Sequence, residues 1–241
     1  MTEAKVRLFV DQALALGQPV AVDEGQVNYL FNVMRLTVGA GVLLFNGRDG
    51  EFLATVAEAG KRRGVLVCQV MTGELRRPPD LWLLFAPIKK DRTHFIVEKA
   101  VELGVARVVP VQTRRTNAER VRQDKLQAHA MEAAEQCGAT FVPEVAELIG
   151  LHRVLASWPA DRKLLWCDEA LAEQATALAG ERGQPWAILI GPEGGFAGDE
   201  QTLLRGMAQV VPLSLGPRIL RADTAAVAAL TLWQAALGDW A

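Results

Sequence analysis

Up to Met71 the chain alternates short apolar runs with polar turns: Arg7–Val10, Pro19–Val22, Val42–Phe45, Phe52–Val56 and Val65–Val70, the third and fourth flanking Asn46-Gly-Arg-Asp-Gly50. Short strands around such turns predict a small β-barrel. One segment breaks the rhythm. Val27, Leu30, Phe31 and Met34 follow the i, i+3, i+4, i+7 spacing of a buried helical stripe, with Asp23 as N-cap. Glu74-Leu-Arg-Arg-Pro-Pro-Asp80 carries two prolines and no apolar period, and reads as a linker. Beyond it, strand-like runs at Leu81–Ala86, Val108–Val111, Lys163–Cys167, Trp186–Ile190 and Val210–Leu215 alternate with helical patterns at Thr93–Leu103, Lys125–Cys137 and Asp199–Met207. Repeated β then α predicts an α/β domain built on a parallel sheet covered on both faces. The expected division is residues 1–74 and 75–241. A last helical pattern, Thr224–Leu237, is apolar around its whole circumference and ends at Gly238. A lone subunit rarely covers such a helix completely, so a subunit interface is expected there.

Half of the 241 residues are hydrophobic, enough to close these cores without staples. The longest apolar run, Ala225–Trp233, is too short to span a bilayer. The chain starts with no basic-then-apolar leader pattern, so a soluble protein is expected. Cys68, Cys137 and Cys167 are odd in number and form no CxxC pair. That argues against a disulfide framework and a cysteine zinc site, and for a reducing cytoplasm. His94, His129 and His152 lack the spacing of metal ligands and read as solvated or capping side chains; no metal is expected.

Charge changes the picture. The net charge of −2 conceals a basic stretch: Lys61–Lys125 holds 15 Lys and Arg against 7 Asp and Glu, a net +8. Clustering of this kind suits a nucleic-acid backbone. The candidates are Lys61–Arg63, Lys89, Lys90, Arg92, Arg114, Arg115, Arg120 and Arg122, joined by Arg7 and Arg35 in the N-terminal part.

Several chemistries are absent. Neither GxxxxGK[ST] nor GxGxxG occurs, and the only serines, Ser157 and Ser214, lie outside any GxSxG. Two motifs remain. In Ile188-Leu-Ile-Gly-Pro-Glu-Gly-Gly-Phe196 an apolar strand runs into a three-glycine loop with a buried-side glutamate, Glu193. Glycines where a parallel strand ends let the backbone approach a ligand. A carboxylate there would repel a phosphate, so a neutral or cationic small molecule fits better. In Leu213-Ser-Leu-Gly-Pro-Arg-Ile-Leu-Arg-Ala-Asp-Thr-Ala225 a second strand-end glycine turn is flanked by Arg218 and Arg221, ahead of an N-cap at Asp223 or Thr224. Two such loops from neighbouring strands make one crevice.

Gly191-Pro-Glu-Gly-Gly195, followed by Leu215-Gly-Pro-Arg-Ile-Leu-Arg221 and Thr224-Ala225, resembles the paired signature of the ribosomal RNA small-subunit methyltransferase E family. Lys99-Ala-Val-Glu-Leu-Gly-Val105, Glu132-Ala-Ala-Glu-Gln-Cys-Gly138 and Val142-Pro-Glu-Val145 extend the resemblance over roughly residues 7 to 238. The chain departs from the family pattern at Asn28, at Ala139-Thr-Phe141 and at Asp223. The resemblance implies a PUA-like N-terminal domain and a SPOUT domain with a trefoil knot. It also implies a homodimer that transfers methyl from S-adenosylmethionine to N3 of a uridine in 16S rRNA within an assembled small ribosomal subunit. Carried over by motif, the cofactor loops are Cys167–Ala170, Ile190–Gly195 (with Gly191 and Glu193) and Leu215–Leu220 (with Gly216 and Ile219), together with Thr224. Arg221 is the expected catalytic residue, stabilising charge on the pyrimidine carbonyls. Glu193 and Asp223 are both candidates for the base, and Glu193 alternatively holds its loop. Two rivals stay open: a transfer-RNA ribose methyltransferase of the same superfamily, and a non-catalytic RNA-binding assembly factor.

Overall fold

The computed structural model describes residues 4, 6–117, 121–168 and 178–241. They gather into two compact units, one holding the chain up to Arg77 together with Ala134–Val142, the other Pro78–Ala133 with Pro143–Ala241. In the first unit β1 (Arg7–Phe9), β2 (Pro19–Val22), β3 (Gly41–Phe45), β4 (Glu51–Ala59) and β5 (Gly64–Gly73) form a sheet in the order β1-β3-β4-β5-β2. Every pair is antiparallel except β1 with β3. Alternation along the strands sends Val42, Leu44, Ala54, Val56 and Leu66 into one core.

Helix α1 (Glu24–Val27) begins as the sequence predicts. The Asp23 carboxylate accepts the Gln26 N–H at 2.8 Å and the Gln26 side chain accepts the Asp23 N–H at 3.0 Å, a closed capping box. From Asn28 to Val33 the backbone widens into a π-helix. A wider turn breaks the 3.6-residue spacing, so Val27 and Leu30 are buried while Met34, the expected fourth member of the stripe, is exposed. Arg35 follows with φ 55°, the one left-handed non-glycine residue among those described, and its side chain is exposed.

Arg7 does not belong to an RNA-binding surface. Its side chain is only 12% exposed, with Nε donating to Glu51 at 2.6 Å. The two terminal nitrogens donate to the carbonyls of Ala134 (2.5 Å) and Ala139 (2.7 Å), and the guanidinium stacks 3.8 Å over the Phe45 ring. It caps carbonyls at the end of a helix, where a cation is favoured by both the unpaired acceptors and the helix dipole.

The second unit is built from β6 (Leu81–Phe85), α2 (Lys90–Glu102), β7 (Arg107–Gln112), α3 (Gln123–Cys137), β8 (Glu144–Val145), β9 (Ile149–Gly150), α4 (Leu151–Ala156), β10 (Lys163–Cys167), β11 (Trp186–Ile190), α5 (Gly198–Arg205), β12 (Val210–Leu213) and α6 (Ala222–Leu237). The tail of α3, from Ala134 on, belongs to the first unit. The strands run parallel in the order β12-β10-β11-β6-β7-β8, with β9 also on β7. All five residues of β11 are buried, as expected for an apolar run covered on both faces. Registers Ile190 with Phe85, Leu189 with Trp166 and Cys167 with Leu213 bring the carboxyl ends of β6, β11, β10 and β12 to one edge. Gly104 and Gly138 end α2 and α3 in the left-handed region that glycine favours.

Helix α6 packs on α2 and β11. Its fully buried Gln234 donates to the Leu103 carbonyl at the end of α2 (2.6 Å) and accepts the Asp239 N–H (3.1 Å), fastening two helix ends together. A Cβ on Gly238 would run into that amide, so the glycine is required by space. The helix is not buried all round: Leu232 is 48% exposed and Trp240 beyond it 54%. It also starts earlier than expected, with Arg221 at the cap position and Asp223 inside the first turn, where a carboxylate suits the helix dipole.

Candidate active site

The three strand ends at β10, β11 and β12 surround one cleft. Cys167, Ile190, Gly191, Glu193, Gly195, Leu215, Gly216, Ile219 and Leu220 all line it, as do Asp168, Arg218, Ala222 and Ala225. Thr224 does not; it is exposed, and its N–H is taken by the Asp223 carboxylate at 2.9 Å. Glu169 and Ala170, the end of the expected first loop, lie outside the described residues, as does Arg120.

Each loop has a local reason for its shape. Gly195 adopts φ 68° and closes a turn by donating its N–H to Pro192 O at 2.9 Å. Gly191 leaves room for the Phe196 ring, which a Cβ would meet at 2.7 Å; Phe196 in turn packs edge to face on Trp166, ring centres 6.1 Å apart. Gly216 sits at φ 101° with open space where a side chain would project, so its backbone is accessible from the cleft. Burial pushes the Cys167 thiol up to about 12, which keeps it protonated and neutral.

Glu193 is not buried as the sequence suggests. Its side chain is half exposed and pairs with Arg92 at 3.1 Å, and the same guanidinium lies 3.7 Å from Asp223. The buried carboxylate of this loop is Glu200, 1% exposed, which accepts the N–H groups of Ala197 (2.8 Å) and Arg114 (2.9 Å). It reaches back to the start of α5 as in a capping box, without the serine or threonine that usually announces one. Arg114 also pairs with Asp199 at 2.9 Å, and Arg115 donates to the Gly194 carbonyl at 2.7 Å. Both arginines therefore brace the glycine loop while their side chains remain largely exposed.

Arg221 lies beside the cleft. With Lys89, Arg92, Glu193, Ile219 and Leu220 it lines an adjoining recess, and the last three of these belong to the cleft as well. The cleft's own lining is apolar at Ile190, Leu213, Leu215, Leu220, Ala222 and Ala225, with Asp168 and Glu193 as carboxylates and Arg218 as cation. Such a donor set suits a flat apolar ring carrying a cationic group and disfavours a polyphosphate. Among the described residues no group of three His, Cys, Asp or Glu could hold a metal, and no helix is long and apolar enough to cross a membrane.

Residues 76–234 match the RNA methyltransferase domain model and residues 22–67 the RNA methyltransferase PUA domain, so fold and site define an RNA methyltransferase. The ribosomal RNA small subunit methyltransferase E of Rickettsia conorii is 31% identical over 231 residues, 93% of each chain, and that of Bacillus subtilis is 26% identical over 220 residues, 86% of each. The crystal structure of the same enzyme from Neisseria gonorrhoeae, bound to S-adenosyl methionine, superposes with a TM-score of 0.85 at 27% identity, covering 98% of this chain and 99% of that one. The chain belongs to the ribosomal RNA small subunit methyltransferase E family.

Proposed function

We propose that this protein methylates N3 of a uridine in 16S rRNA, using S-adenosylmethionine held in the cleft between the β10, β11 and β12 ends. The observation that carries the reading is the shared wall. Glu193, Ile219 and Leu220 border both the cleft and the Arg221 recess, so a base seated in the recess lies next to whatever occupies the cleft. The residues fit the donor: apolar side chains for its adenine, open backbone at Gly216, carboxylates at Asp168 and Glu193 for its cationic parts. When bound, S-adenosylmethionine supplies an electrophilic methyl group on a sulfonium.

The chain's own task is the acceptor. Uridine N3 carries a proton and no free lone pair until that proton leaves. Glu193 is the residue common to the cleft, the Arg221 recess and the basic recess between α2 and α3. It is the base in this reading: its carboxylate takes the N3 proton, and the electron pair left on N3 forms the bond to methyl. Arg221, exposed at the cap of α6, stabilises the negative charge spread over the pyrimidine carbonyls as the proton departs. Arg92 positions Glu193 through their ion pair. N3 lies on the pairing edge, so the nucleotide must be unpaired or flipped, and the strand is held by its backbone at Lys89, Lys90, Arg114 and Arg115; exposed Arg35 is a separate candidate phosphate contact of the first unit.

The working form is a homodimer in the cytoplasm. Exposed Leu232 and Trp240 at the end of α6 supply the apolar surface for a second copy, and the three free cysteines suit a reducing compartment. The test is nucleoside analysis of 16S rRNA, supplied naked or as assembled small subunits, after incubation with the protein and methyl-labelled S-adenosylmethionine. Label in 3-methyluridine is expected. Label in another nucleoside, or none on either substrate, overturns the proposal.

A further inference from the structure

A second concavity of the C-terminal unit lies between the first turns of α2 and α3 and encloses about 680 Å³. Lys90, His94, Arg115, Arg122, Lys125 and His129 line it, and it meets the active site at Pro192 and Glu193. Its charge is lopsided. Among the described residues Glu193 is the one carboxylate in the lining, and that group is paired with Arg92. Arg122 is engaged by Asp124 at 2.6 Å and Arg115 by the Gly194 carbonyl. Lys90 and Lys125 have no carboxylate within ion-pair distance among the described residues, and both are exposed. Free ammonium groups from two helices, each in a first turn where the helix dipole also favours anions, converge on one hollow.

The same hollow contains a stacked histidine pair. The rings of His94 and His129 are 3.9 Å apart between centroids and tilted by 33°. Burial holds the His94 imidazole below its ordinary value, and the charges of His129 and Lys90 push the same way, against the weaker pull of Asp91 and Glu98. On the α3 side, His129 Nδ1 lies 3.5 Å from Glu98 and 3.6 Å from Glu132. Asp124, the remaining acid of that helix face, is taken by Arg122. At His94 the neighbouring imidazole and Lys90 both oppose a positive charge, which an anion in the recess would offset.

We infer that this recess is a subsite for an RNA phosphodiester adjoining the methylated nucleotide, with Lys90 and Lys125 as its ionic contacts and His94, stacked on His129, as a further donor. This deepens the rRNA methyltransferase reading and rests on it. The sign of the pH effect follows from linkage. A group whose proton affinity is low in the free protein and rises in the complex takes up a proton on binding, so RNA affinity increases as pH falls. Proton uptake by one group limits the change to about tenfold per pH unit.

The test uses the full-length protein with in vitro transcribed 16S rRNA, measuring affinity from pH 6 to pH 8 over a salt series, beside S-adenosylmethionine affinity and thermal melting. For Lys90→Ala combined with Lys125→Ala, RNA affinity should fall about tenfold or more and the salt dependence should flatten by one to two phosphates' worth, about 0.7 to 1.4 in slope for a single strand. S-adenosylmethionine affinity and melting should stay within error. His94→Asn, which keeps the shape and a donor, should bind RNA with the pH dependence lost. A double lysine variant with unchanged RNA affinity and salt slope overturns the subsite, and an undiminished pH dependence in His94→Asn overturns the role of the histidine pair. If the unmodified protein transfers methyl normally while the variants show no change, the subsite alone falls; if it neither binds RNA nor transfers methyl, the underlying function falls with it.

Discussion

Glu200 accepts the backbone N–H of Arg114 at 2.9 Å from the opposite side of the glycine loop, while its other oxygen accepts the N–H of Ala197 at 2.8 Å. A single buried carboxylate thus joins the turn after β7 to Ala197, the cap residue of α5. Glu200→Gln replaces one acceptor oxygen with a donor facing an N–H. The expected loss is about 2–3 kcal/mol of stability, the usual cost of an unmet buried group. S-adenosylmethionine affinity should weaken in parallel. Urea unfolding and calorimetric titration of the same preparation check both, and a variant with wild-type stability removes Glu200 from this role.

Arg7 offers a contrast, because a basic residue in the first unit invites an RNA role that its contacts contradict. Arg7→Met should cost about 3 kcal/mol or more by stranding Glu51 and the Ala134 and Ala139 carbonyls. RNA affinity of the folded fraction should stay unchanged. Denaturant midpoints read the first effect and filter binding below the melting temperature reads the second.

Arg221→Ala separates binding from chemistry. Charge builds on the pyrimidine only as N3 gives up its proton, so single-turnover rate at saturating RNA should fall by about 10² or more. S-adenosylmethionine affinity should change by less than about twofold, since Arg221 borders the recess and not the cleft. Full rate recovered at high RNA would show that Arg221 only binds substrate.

Gly195→Val places a β-branched residue at φ 68°. The strain, about 1–2 kcal/mol or more, is confined to the turn that Gly195 closes with Pro192, so the protein should fold with a slightly lower melting temperature. Cofactor affinity should drop at least tenfold. An undisturbed affinity would remove this loop from the site.

Cys167 gives a pH-dependent readout. With its thiol at about 12, the thiolate fraction at pH 8 is only about 10⁻⁴, against roughly a quarter for an ordinary thiol. Iodoacetamide at pH 8 should modify the exposed Cys137 and leave Cys167 and the buried Cys68, whose thiol is also raised by burial, intact. Mass spectrometry of the alkylated chain decides it; fast labelling of Cys167 would show that its surroundings are wetter than the structure indicates.

The strands that carry the site were the most legible part of the chain. β10 and β11 begin and end where their strand-like runs do, because Leu164–Trp166 and all of β11 are apolar and buried, as in a strand covered on both faces. β8 and β9 are two residues each and α4 six, too short for any period to emerge. The cleft was legible through its glycines, since the need for close backbone approach is written in residue type. What escaped depends on partners far along the chain. Arg7 meets residues 44, 127 and 132 positions away, and nothing local distinguishes it from a solvated arginine. His94 and His129 read as unrelated surface residues until two helices bring them into contact. Glu193 read as buried for the same reason: only the fold shows that Glu200, and not Glu193, faces two backbone N–H groups.

The strand order has a consequence for how the protein is made. β10 sits between β11 and β12, so the cleft draws on Trp166 at one extreme and Ala225 at the other, and β12 is the last strand to be synthesised. A nascent chain cannot close this cleft until translation has passed Ala225 and that segment has cleared the exit tunnel. Fragments released by a nonsense codon or a stalled ribosome between Val142 and Ala225 would carry every residue of the first unit without a place for the methyl donor.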